Sequence, residues 1–390
     1  TLFYLLFLLA NTAANAQSTT GLLVVDQDYQ AALRLAKQEQ KLVFVDFYTD
    51  WCGPCKQLDK YVFADDSLGN VLGEHVVLLK YNAEKDSAFH LTKKYHVNSY
   101  PTGMVLSQDG KVVARQSGFS GEDRRSLGAS VFSFVVRADS LNTAGDYASG
   151  YSTTIDPDVY PDFYVDYIDD EDADVDLAEI NAFLLNADDP YGEAYFATLM
   201  YFAMEASDSV ASKVLDNRKE YAQRYGVDQL DVLTKSLVMG KFDRAVEQQN
   251  QTAFDEAVRL ARKHLPKEFV DFVLPQFEMR WLEAQGKWGE IFNRYEAMKA
   301  DGKMSNGYIN HVSWGAYVNC DDEQVLRKFS GWMKEIVTEK PKFDYLDTYA
   351  FLLYKSGNKA EAKTVAERAI MVGEAEDRSV TELRELLGKL

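Results

Sequence analysis

Residues 42–55, LVFVDFYTDWCGPC, hold the stretch that decides the fold of the N-terminal part of the chain. Residues 42–48 are apolar, β-branched or aromatic with one acid among them, which predicts a buried strand. Two cysteines, Cys52 and Cys55, follow at CxxC spacing. If Gly53 and Pro54 begin a helix, Cys52 lies at its N-terminus, where unpaired amide N–H groups and the macrodipole favour a thiolate. A proline suits that first turn because its missing N–H costs nothing there.

A CxxC pair also occurs as half of a zinc site, which needs a second pair of ligands. The chain has only one other cysteine, Cys320, and its five histidines are scattered without paired spacing. A strand followed by CxxC and a helix is the context of a redox pair. We therefore expect a redox-active dithiol, with no metal and no cofactor, and we expect Cys320 to pack as a small apolar residue.

Length and charge limit the classes of function. A chain of 390 residues with 46% hydrophobic residues is long enough for more than one domain. A formal net charge of -19 argues against nucleic acid or an anionic membrane surface as partner. Three cysteines are sparse for a disulfide-stapled scaffold and fit an exported redox protein better.

The N-terminal residues predict export. The apolar run from Leu2 to Ala10 is too short to cross a bilayer as a helix. Ala14-Asn15-Ala16 places small residues at cleavage spacing before Gln17, which predicts a signal peptide over residues 1–16 and a periplasmic protein. An uncleaved membrane anchor or a buried N-terminal strand remains an alternative.

The pattern after the leader alternates helices and strands. Apolar spacing predicts helices over 28–40, 53–63, 87–95 and 124–136 and strands over 42–48, 76–79, 103–106 and 112–116. Asp109-Gly110 between the last two strands is a hairpin signal. The prediction is an α/β fold with a mixed sheet covered by helices on both faces.

Residues from about Tyr29 to Arg137 resemble the thioredoxin family in motif, order and spacing. The resemblance rests on the Trp51–Cys55 motif, on Asp46 six residues before Cys52, on Lys80, and on Pro101 as the family's cis-proline. Lys60–Asp65 followed by Val77–Lys80 is also similar to the thioredoxin-like domains of thiol:disulfide interchange proteins. The resemblance implies a thioredoxin fold over residues 17–138 and thiol:disulfide exchange as its chemistry.

The exchange chemistry assigns roles to four residues. Cys52, the more exposed cysteine, would attack a partner's disulfide, and Cys55 would resolve the mixed disulfide. Asp46, surrounded by apolar neighbours, would take the proton of Cys55 because burial raises the pKa of an acid. Lys80 would tune Asp46 by its charge, unless it is a plain exposed lysine at a strand end.

A second group of residues is expected to bind the client chain around the motif. The aromatic members would form its apolar rim, with core packing as their alternative role. The group is Trp51, Gly53, Pro54, Tyr100, Pro101 and Thr102. Tyr100 departs from the smaller residue that cytosolic thioredoxins carry before the proline, which concerns client preference.

Residues 139–176 are expected to form an acidic linker. Ser, Thr, Gly and Asp dominate its first half without periodicity, and ten acidic residues lie between Asp156 and Asp176 without Lys or Arg. The run 169–176 lacks the glycine turn and the terminal glutamate of a helix–loop–helix calcium site, which favours a solvated connector.

Residues 177–390 are predicted to be helical throughout. Helices over 345–355 and 359–372, with small residues at Ala350, Gly357, Ala362 and Ala369, resemble a tetratricopeptide repeat. Weaker matches to the same repeat pattern predict turns at Gly240 and Gly286. The expected architecture is stacked helix pairs that bind protein, and an ordinary helical bundle without a groove is the alternative.

Two functions fit these observations. The first is an exported thiol:disulfide oxidoreductase that reduces disulfide-bearing client proteins and receives electrons from a membrane partner. Gly-Pro between the cysteines resembles reducing thioredoxins. The second is an interaction protein whose helical domain binds a client or complex, with the redox site secondary.

Overall fold

The computed structural model describes residues 21–170 and 173–390, so the predicted signal peptide over residues 1–16 lies outside the described residues. The chain divides into two compact units, residues 1–241 and residues 242–390. Within the described residues, no helix combines the length and the apolar character that crossing a membrane requires.

The first unit contains a mixed five-stranded sheet. The strands are β1 (Val24–Asp26), β2 (Leu42–Tyr48), β3 (Val76–Asn82), β4 (Thr102–Leu106) and β5 (Val112–Ser117), in the order β1-β3-β2-β4-β5. β1 and β2 pair with β3 in parallel, and β4 is antiparallel to both β2 and β5. β2 therefore lies at the centre, which explains its continuous apolar sequence. The α/β class and mixed sheet predicted from the sequence are confirmed. The strand β1 is not among the strands that the sequence predicts.

Helices cover both faces of this sheet. They are α1 (Tyr29–Glu39), α2 (Gly53–Leu58), α3 (Asp66–Gly73), α4 (Leu91–Lys94) and α5 (Arg124–Ala144), and α2 continues through a π-helical turn, Asp59–Phe63. Because side chains alternate along a strand, Phe44 and Phe47 of β2 face opposite sides. Phe44 packs on Phe63 and on Phe134 of α5, whereas Phe47 packs on Tyr81. Asp46 shares the face of Phe44, on the side of the helix that begins at the CxxC.

The helix predicted over residues 87–95 is shorter in the structure. Only Leu91–Lys94 is helical, and His90 before it has a φ of 49°. Asp86 holds this start, since its carboxylate accepts hydrogen bonds from the backbone N–H groups of Leu91 and Thr92. The apolar spacing over 87–95 reflects burial of the segment and not a continuous helix.

The stretch predicted as a linker, residues 139–176, contains ordered and buried elements in its described part. α5 extends to Ala144, and α6 (Asp162–Asp169) follows. Tyr151 and Tyr164 are buried, and Tyr164 donates a hydrogen bond to the carbonyl of Lys93 at 2.6 Å. The acids of α6 occupy its exposed face, as Asp162 and Asp166 show. The acidic composition therefore describes one face of a helix whose tyrosines pack on the sheet domain.

Five further helices complete the first unit up to its boundary within the last of them. They are α7 (Leu177–Asn186), α8 (Glu193–Phe202), α9 (Asp208–Asp216), α10 (Arg218–Tyr225) and α11 (Val227–Glu247). Gly240, where the sequence predicts a turn, lies inside α11. A Cβ there would come within 2.2 Å of the carbonyl oxygen of Met204, so glycine permits close backbone packing at this position.

The second unit is helical in its entire regular structure, as predicted for the C-terminal region. Its helices are α12 (Gln251–His264), α13 (Lys267–Ala284), α14 (Trp288–Ala300), α15 (Asn306–Asn319), α16 (Glu323–Glu339), α17 (Phe343–Lys355), α18 (Lys359–Ala375) and α19 (Thr381–Lys389). The predicted helix pair corresponds to α17 and α18, and Gly357 between them has a φ of 85°. Ala350, Ala362 and Ala369 are fully buried. Small residues at these positions let the paired helices approach closely.

Candidate active site

The first helical turn after β2 holds the two cysteines. α2 begins at Gly53, as predicted, and Cys52 is its N-cap residue with extended backbone angles. Cys52 Sγ accepts a hydrogen bond from the N–H of Cys55 at 3.1 Å, and the two cysteines are joined by a disulfide bond. A sulfur at this position faces the unpaired donors of the helix N-terminus, which stabilise negative charge there.

The two sulfur-bearing residues differ little in exposure. Cys52 is 3% exposed and Cys55 is 1% exposed in this disulfide-bonded state. Gly53 and Pro54 between them are exposed. The Gly-Pro edge of the turn is therefore its solvent-facing part, and Cys52 is only slightly more exposed than Cys55, as predicted.

The loop of Pro101 lies beside the motif because of strand register. Thr102 pairs with Phe47 across β2 and β4, which places Pro101 next to the end of β2. The Tyr100–Pro101 peptide bond is cis, as the resemblance implied. The Thr102 hydroxyl donates to the carbonyl of Ser99 at 2.8 Å, so its polar group is used within the protein.

Trp51 and Tyr100 form an aromatic edge next to Cys52. Trp51 is 69% exposed, and its ring meets that of Tyr100 edge to face at 5.9 Å between centroids. Trp51 is therefore not a core residue. Its indole N–H donates to Glu84 at 3.1 Å, and Glu84 also accepts from the N–H of Asp50 at 3.2 Å.

Asp46, Lys80 and Asp59 form an ion network under the motif. Asp46 is fully buried, and the Lys80 ammonium lies 2.5 Å from its Oδ2 atom. Lys80 also pairs with Asp59, at the end of α2. Because Lys80 bridges the strand and this helix, the Asp46 side chain faces the helix that carries both cysteines. The alternative of a plain exposed lysine is therefore excluded by geometry.

The protonation of this network follows from burial and charge. Burial raises the pKa of Asp46 above its ordinary value, the Lys80 charge opposes this, and the Asp59 charge adds to it. Burial lowers the pKa of Lys80, but the two carboxylates outweigh it and raise that pKa overall. The Oδ1 atom of Asp46 is buried and has no hydrogen-bond partner among the described residues. Asp46 thus keeps one oxygen available to accept a proton.

Asp59 and Glu84 are two site residues that the sequence analysis did not single out. Asp59 lies four residues after Cys55, one helical turn on, so helical spacing from the motif was a usable signal. Glu84 lies beyond the end of β3, and no local pattern links it to Trp51. Only the parallel pairing of β2 and β3 brings the two together.

Cys320 has a different environment. It is a buried free thiol at the C-terminal end of α15, and burial raises its pKa. Among the described residues, no group of three or more His, Cys, Asp or Glu side chains is arranged to hold a metal ion. Within that part of the chain, the CxxC pair therefore has no further ligands with which to form a zinc site.

Comparison with known proteins identifies the fold and motif together. A family model described as a thioredoxin-like domain matches residues 29–125. Thioredoxin-1 of Drosophila melanogaster is 35% identical over 94 residues, which are 24% of this chain and 79% of that protein. The chain belongs to the thioredoxin family. The matched residues include both cysteines of its CxxC pair.

Other relatives of this thioredoxin-family chain match over a similar length. Thiol:disulfide interchange protein DsbD of Yersinia pestis is 34% identical over 113 residues, 28% of this chain and 19% of that protein. The chain spans 47% of Thioredoxin-T of Drosophila melanogaster, with 40% identity. A solution structure titled as a disulphide-isomerase from Bacteroides thetaiotaomicron is 39% identical in sequence. The match covers 30% of this chain and 93% of that one, with a TM-score of 0.25.

Proposed function

We propose that this protein is an exported protein-disulfide reductase that acts on client proteins through Cys52 and Cys55. The observation that carries the proposal is the position of Cys52 Sγ at the start of α2, where it accepts the Cys55 N–H, above a buried acid with a free oxygen. A thiolate at a helix N-terminus is the attacking species in disulfide exchange.

The first step forms a mixed disulfide. The Cys52 thiolate of the reduced protein attacks one sulfur of a client disulfide, a bond forms between these two sulfurs, and the second client sulfur leaves as a thiolate. That thiolate takes a proton from solvent. Trp51, Tyr100 and the Pro101 loop flank the attack site and contact the client chain on either side of its disulfide.

The second step releases the client. Asp46 accepts the proton of Cys55, the Cys55 thiolate attacks Cys52 Sγ, and the other client sulfur leaves as a thiolate that is then protonated. The client gains two electrons and two protons, and the protein ends as the Cys52–Cys55 disulfide. Lys80 limits how far burial raises the pKa of Asp46, so that the acid can be ionised when Cys55 must lose its proton.

The reducing direction and the location belong to the proposal. Gly53-Pro54 between the cysteines, as in reducing thioredoxins, supports reduction of clients. Return of the disulfide to the dithiol would then require a dithiol donor, which we place in the membrane, with this protein on the periplasmic side. The small residues before Gln17 support export, and N-terminal sequencing of protein recovered from the periplasm tests cleavage after Ala16.

The reduction potential of the pair tests the direction. Equilibration of the full chain with glutathione buffers should give a value near about -270 mV, as for a thioredoxin, and a value near about -120 mV would make the protein an oxidant. Insulin reduction by the full chain with dithiothreitol as electron source is the activity assay. Turnover no faster than dithiothreitol alone would overturn the proposal.

We also propose that the helical second unit binds protein partners and that the redox site is the primary function. The packing of α17 on α18 around Ala350 and Ala362 supports a repeat-like stack. Replacing Cys52 with Ser distinguishes this from an interaction protein with a secondary redox site. A strain that carries Cys52→Ser should lose the protein's phenotype if the redox site is primary. The strain should keep that phenotype if partner binding is the main function.

A further inference from the structure

A groove extends sideways from the aromatic edge of the site. It has a volume of about 1050 Å³, and its lining includes Trp51, Glu84, Tyr100, Tyr167 and Ile168. We call it the side groove. One end is formed by the thioredoxin-like domain next to Cys52, and the other end by α6, which follows that domain in the chain.

The α6 wall is held in place by contacts to the sheet domain. Tyr164 of α6 donates to the carbonyl of Lys93, and the Lys93 ammonium pairs with Asp169. The Lys93 side chain is 4% exposed, whereas Asp169 is 62% exposed, so the buried lysine reaches a carboxylate at the surface of α6. Tyr201 of α8, behind the wall, donates to the carbonyl of Val97 at 3.0 Å. The wall is therefore part of the folded first unit.

The charges of the side groove are not balanced at its end near Trp51. The Glu84 carboxylate is fixed by the Trp51 indole and by the N–H of Asp50. Over residues 21–170 and 173–390, no lysine or arginine pairs with it. Asp86, also on the groove, is bonded to hydroxyl and amide donors. Lys85 is the nearby cation, and it pairs with Asp50.

The far wall presents Tyr167 and Ile168 beside the Asp169–Lys93 ion pair. Tyr167 and Ile168 are half-buried, and the Tyr167 ring contacts those of Tyr201 and Phe202. Their remaining exposed surface faces the groove. A client segment that leaves the attack site along the groove would meet a negative charge first and an apolar surface next.

We propose that the side groove binds the client polypeptide next to its disulfide and selects a basic residue close to the reacting cysteine followed by an apolar one. The inference rests on the proposed function, because it names the substrate class of the same site. The lysine or arginine pairs with Glu84, and the apolar side chain packs on Tyr167 and Ile168. The appended α6 is thereby a client-binding element.

The physical basis is the fixed position of the unpaired carboxylate. Glu84 loses less conformational entropy on meeting a cation because the Trp51 indole and the Asp50 amide already hold its carboxylate. A charge at the edge of a binding site acts mainly on the association rate and on its salt dependence. The apolar wall adds area that a small disulfide cannot reach, which separates client binding from the exchange chemistry.

The test compares three disulfides with the reduced full chain. Two are cyclic disulfide peptides identical except for lysines or glutamates beside one cysteine, and the third is hydroxyethyl disulfide, which is small and neutral. Single-turnover oxidation is followed by tryptophan fluorescence. The wild type should oxidise about tenfold faster with the lysine peptide than with the glutamate peptide at low salt, and the ratio should fall as salt is added.

One variant and a matched control locate the charge effect. Glu84→Gln keeps an acceptor for the Trp51 indole and should lower the peptide ratio to about twofold or less. Glu39→Gln is the control, since Glu39 ends α1 before β2 begins, at the opposite end of the sheet. It should leave the ratio unchanged. Rates with hydroxyethyl disulfide correct each variant for any change in Cys52 reactivity.

The α6 wall has its own readout. Ile168→Ser should slow the reaction with a lysine peptide that carries a leucine-containing extension by about threefold to tenfold, and should not slow the unextended peptide. Circular dichroism melting of Ile168→Ser shows whether the first unit remains folded. If it does not, Ile168→Val, which shortens the wall by one methylene, replaces it with a proportionally smaller expected effect.

The outcomes separate this inference from the proposed function. Equal rates for both peptides, or a ratio that Glu84→Gln leaves unchanged, overturn the side-groove proposal while reduction of hydroxyethyl disulfide preserves the reductase. If the full chain reduces none of the three disulfides, the proposed function itself is overturned.

Discussion

Two cysteines at opposite ends of helices show how the fold assigns reactivity. Cys52 caps the N-terminus of α2, and Cys320 ends the C-terminus of α15. Both are nearly inaccessible, at 3% and 1% exposure. Cys52 meets backbone N–H groups, whereas Cys320 Sγ lies 3.8 Å from the carbonyl oxygen of Asp322. Burial alone therefore does not decide what a cysteine does.

The difference is electrostatic. At a helix N-terminus the unpaired donors stabilise a thiolate, and at a C-terminus the carbonyl groups disfavour it. Burial raises the pKa of Cys320 further. Asp46, which we propose as the proton acceptor, is buried on the strand that leads into the CxxC. The comparison predicts that substitutions change the rate of disulfide reduction less the farther the residue acts from the reacting sulfur. The order runs from Cys52 through Asp46 to Lys80 and Asp59.

Cys52→Ser should have the largest effect. We expect insulin reduction to fall by at least about 10³-fold, because a serine hydroxyl stays protonated and is not a nucleophile toward disulfides. Cys320→Ser is the matched control and should leave the rate unchanged. Iodoacetamide should alkylate Cys52 of the reduced native protein at neutral pH and leave Cys320 unmodified. Rapid alkylation of Cys320 would break the comparison.

Asp46→Asn should have the second largest effect. The amide has a similar shape but cannot accept the proton of Cys55, so release of the mixed disulfide should slow by about 10²-fold. Quench-flow with acid trapping should show the mixed disulfide accumulating. Initial attack by Cys52 should be nearly unchanged, and a variant that slowed attack and release equally would contradict the assigned role.

Lys80→Gln and Asp59→Asn should shift the pH dependence of release in opposite directions. Asp46 accepts a proton only when ionised, so the rate falls on the acid side of its pKa. Loss of the Lys80 charge raises the pKa of Asp46 and moves this limb to higher pH, whereas loss of the Asp59 charge moves it to lower pH. At a pH on the limb the rates should differ from wild type by less than about tenfold.

Stability should change in the opposite sense to activity at Asp46. Its folded-state pKa lies above the unfolded value, so the folded state binds more protons and loses stability as pH rises from about 4 toward the folded pKa. Asp46→Asn should therefore raise the free energy of unfolding at pH 7, on the order of 1 kcal/mol, with Lys80 still paired to Asp59.

Urea titration at two pH values measures this effect. The gain from Asp46→Asn should be small near about pH 4, where unfolded aspartate begins to be protonated, and larger at neutral pH. Cys320→Ser supplies the contrast, since it buries a hydroxyl without changing a charge and should give a stability difference independent of pH in this range. A gain in unfolding free energy from Asp46→Asn that did not change with pH would show that burial does not raise the pKa of Asp46.

Local sequence patterns were sufficient for much of the fold. The apolar run of β2 and the Gly53-Pro54 helix start are encoded in adjacent residues, and the structure places both at the predicted positions. The helix pair α17 and α18 was likewise visible from periodicity and from Gly357. Such features depend on backbone preferences and on which face of an element is apolar, which neighbouring residues specify.

Composition was a poorer guide than periodicity where the two disagreed. Residues 139–176 are acidic and were expected to be a connector, yet Tyr151 and Tyr164 are buried against the sheet domain. Gly240 was expected in a turn, yet it serves contact between two backbones inside α11. In each case the deciding partner is distant in sequence, so no local pattern could reveal it.

The sequence by itself determined that a strand runs into a CxxC pair at a helix N-terminus, and this motif indicated the family. Tertiary structure alone decided which charges surround that pair. Lys80 bridges Asp46 to Asp59, Glu84 holds Trp51, and α6 forms a wall of the side groove. Electrostatic and packing energies depend on distance in space, and strand order and helix docking set those distances.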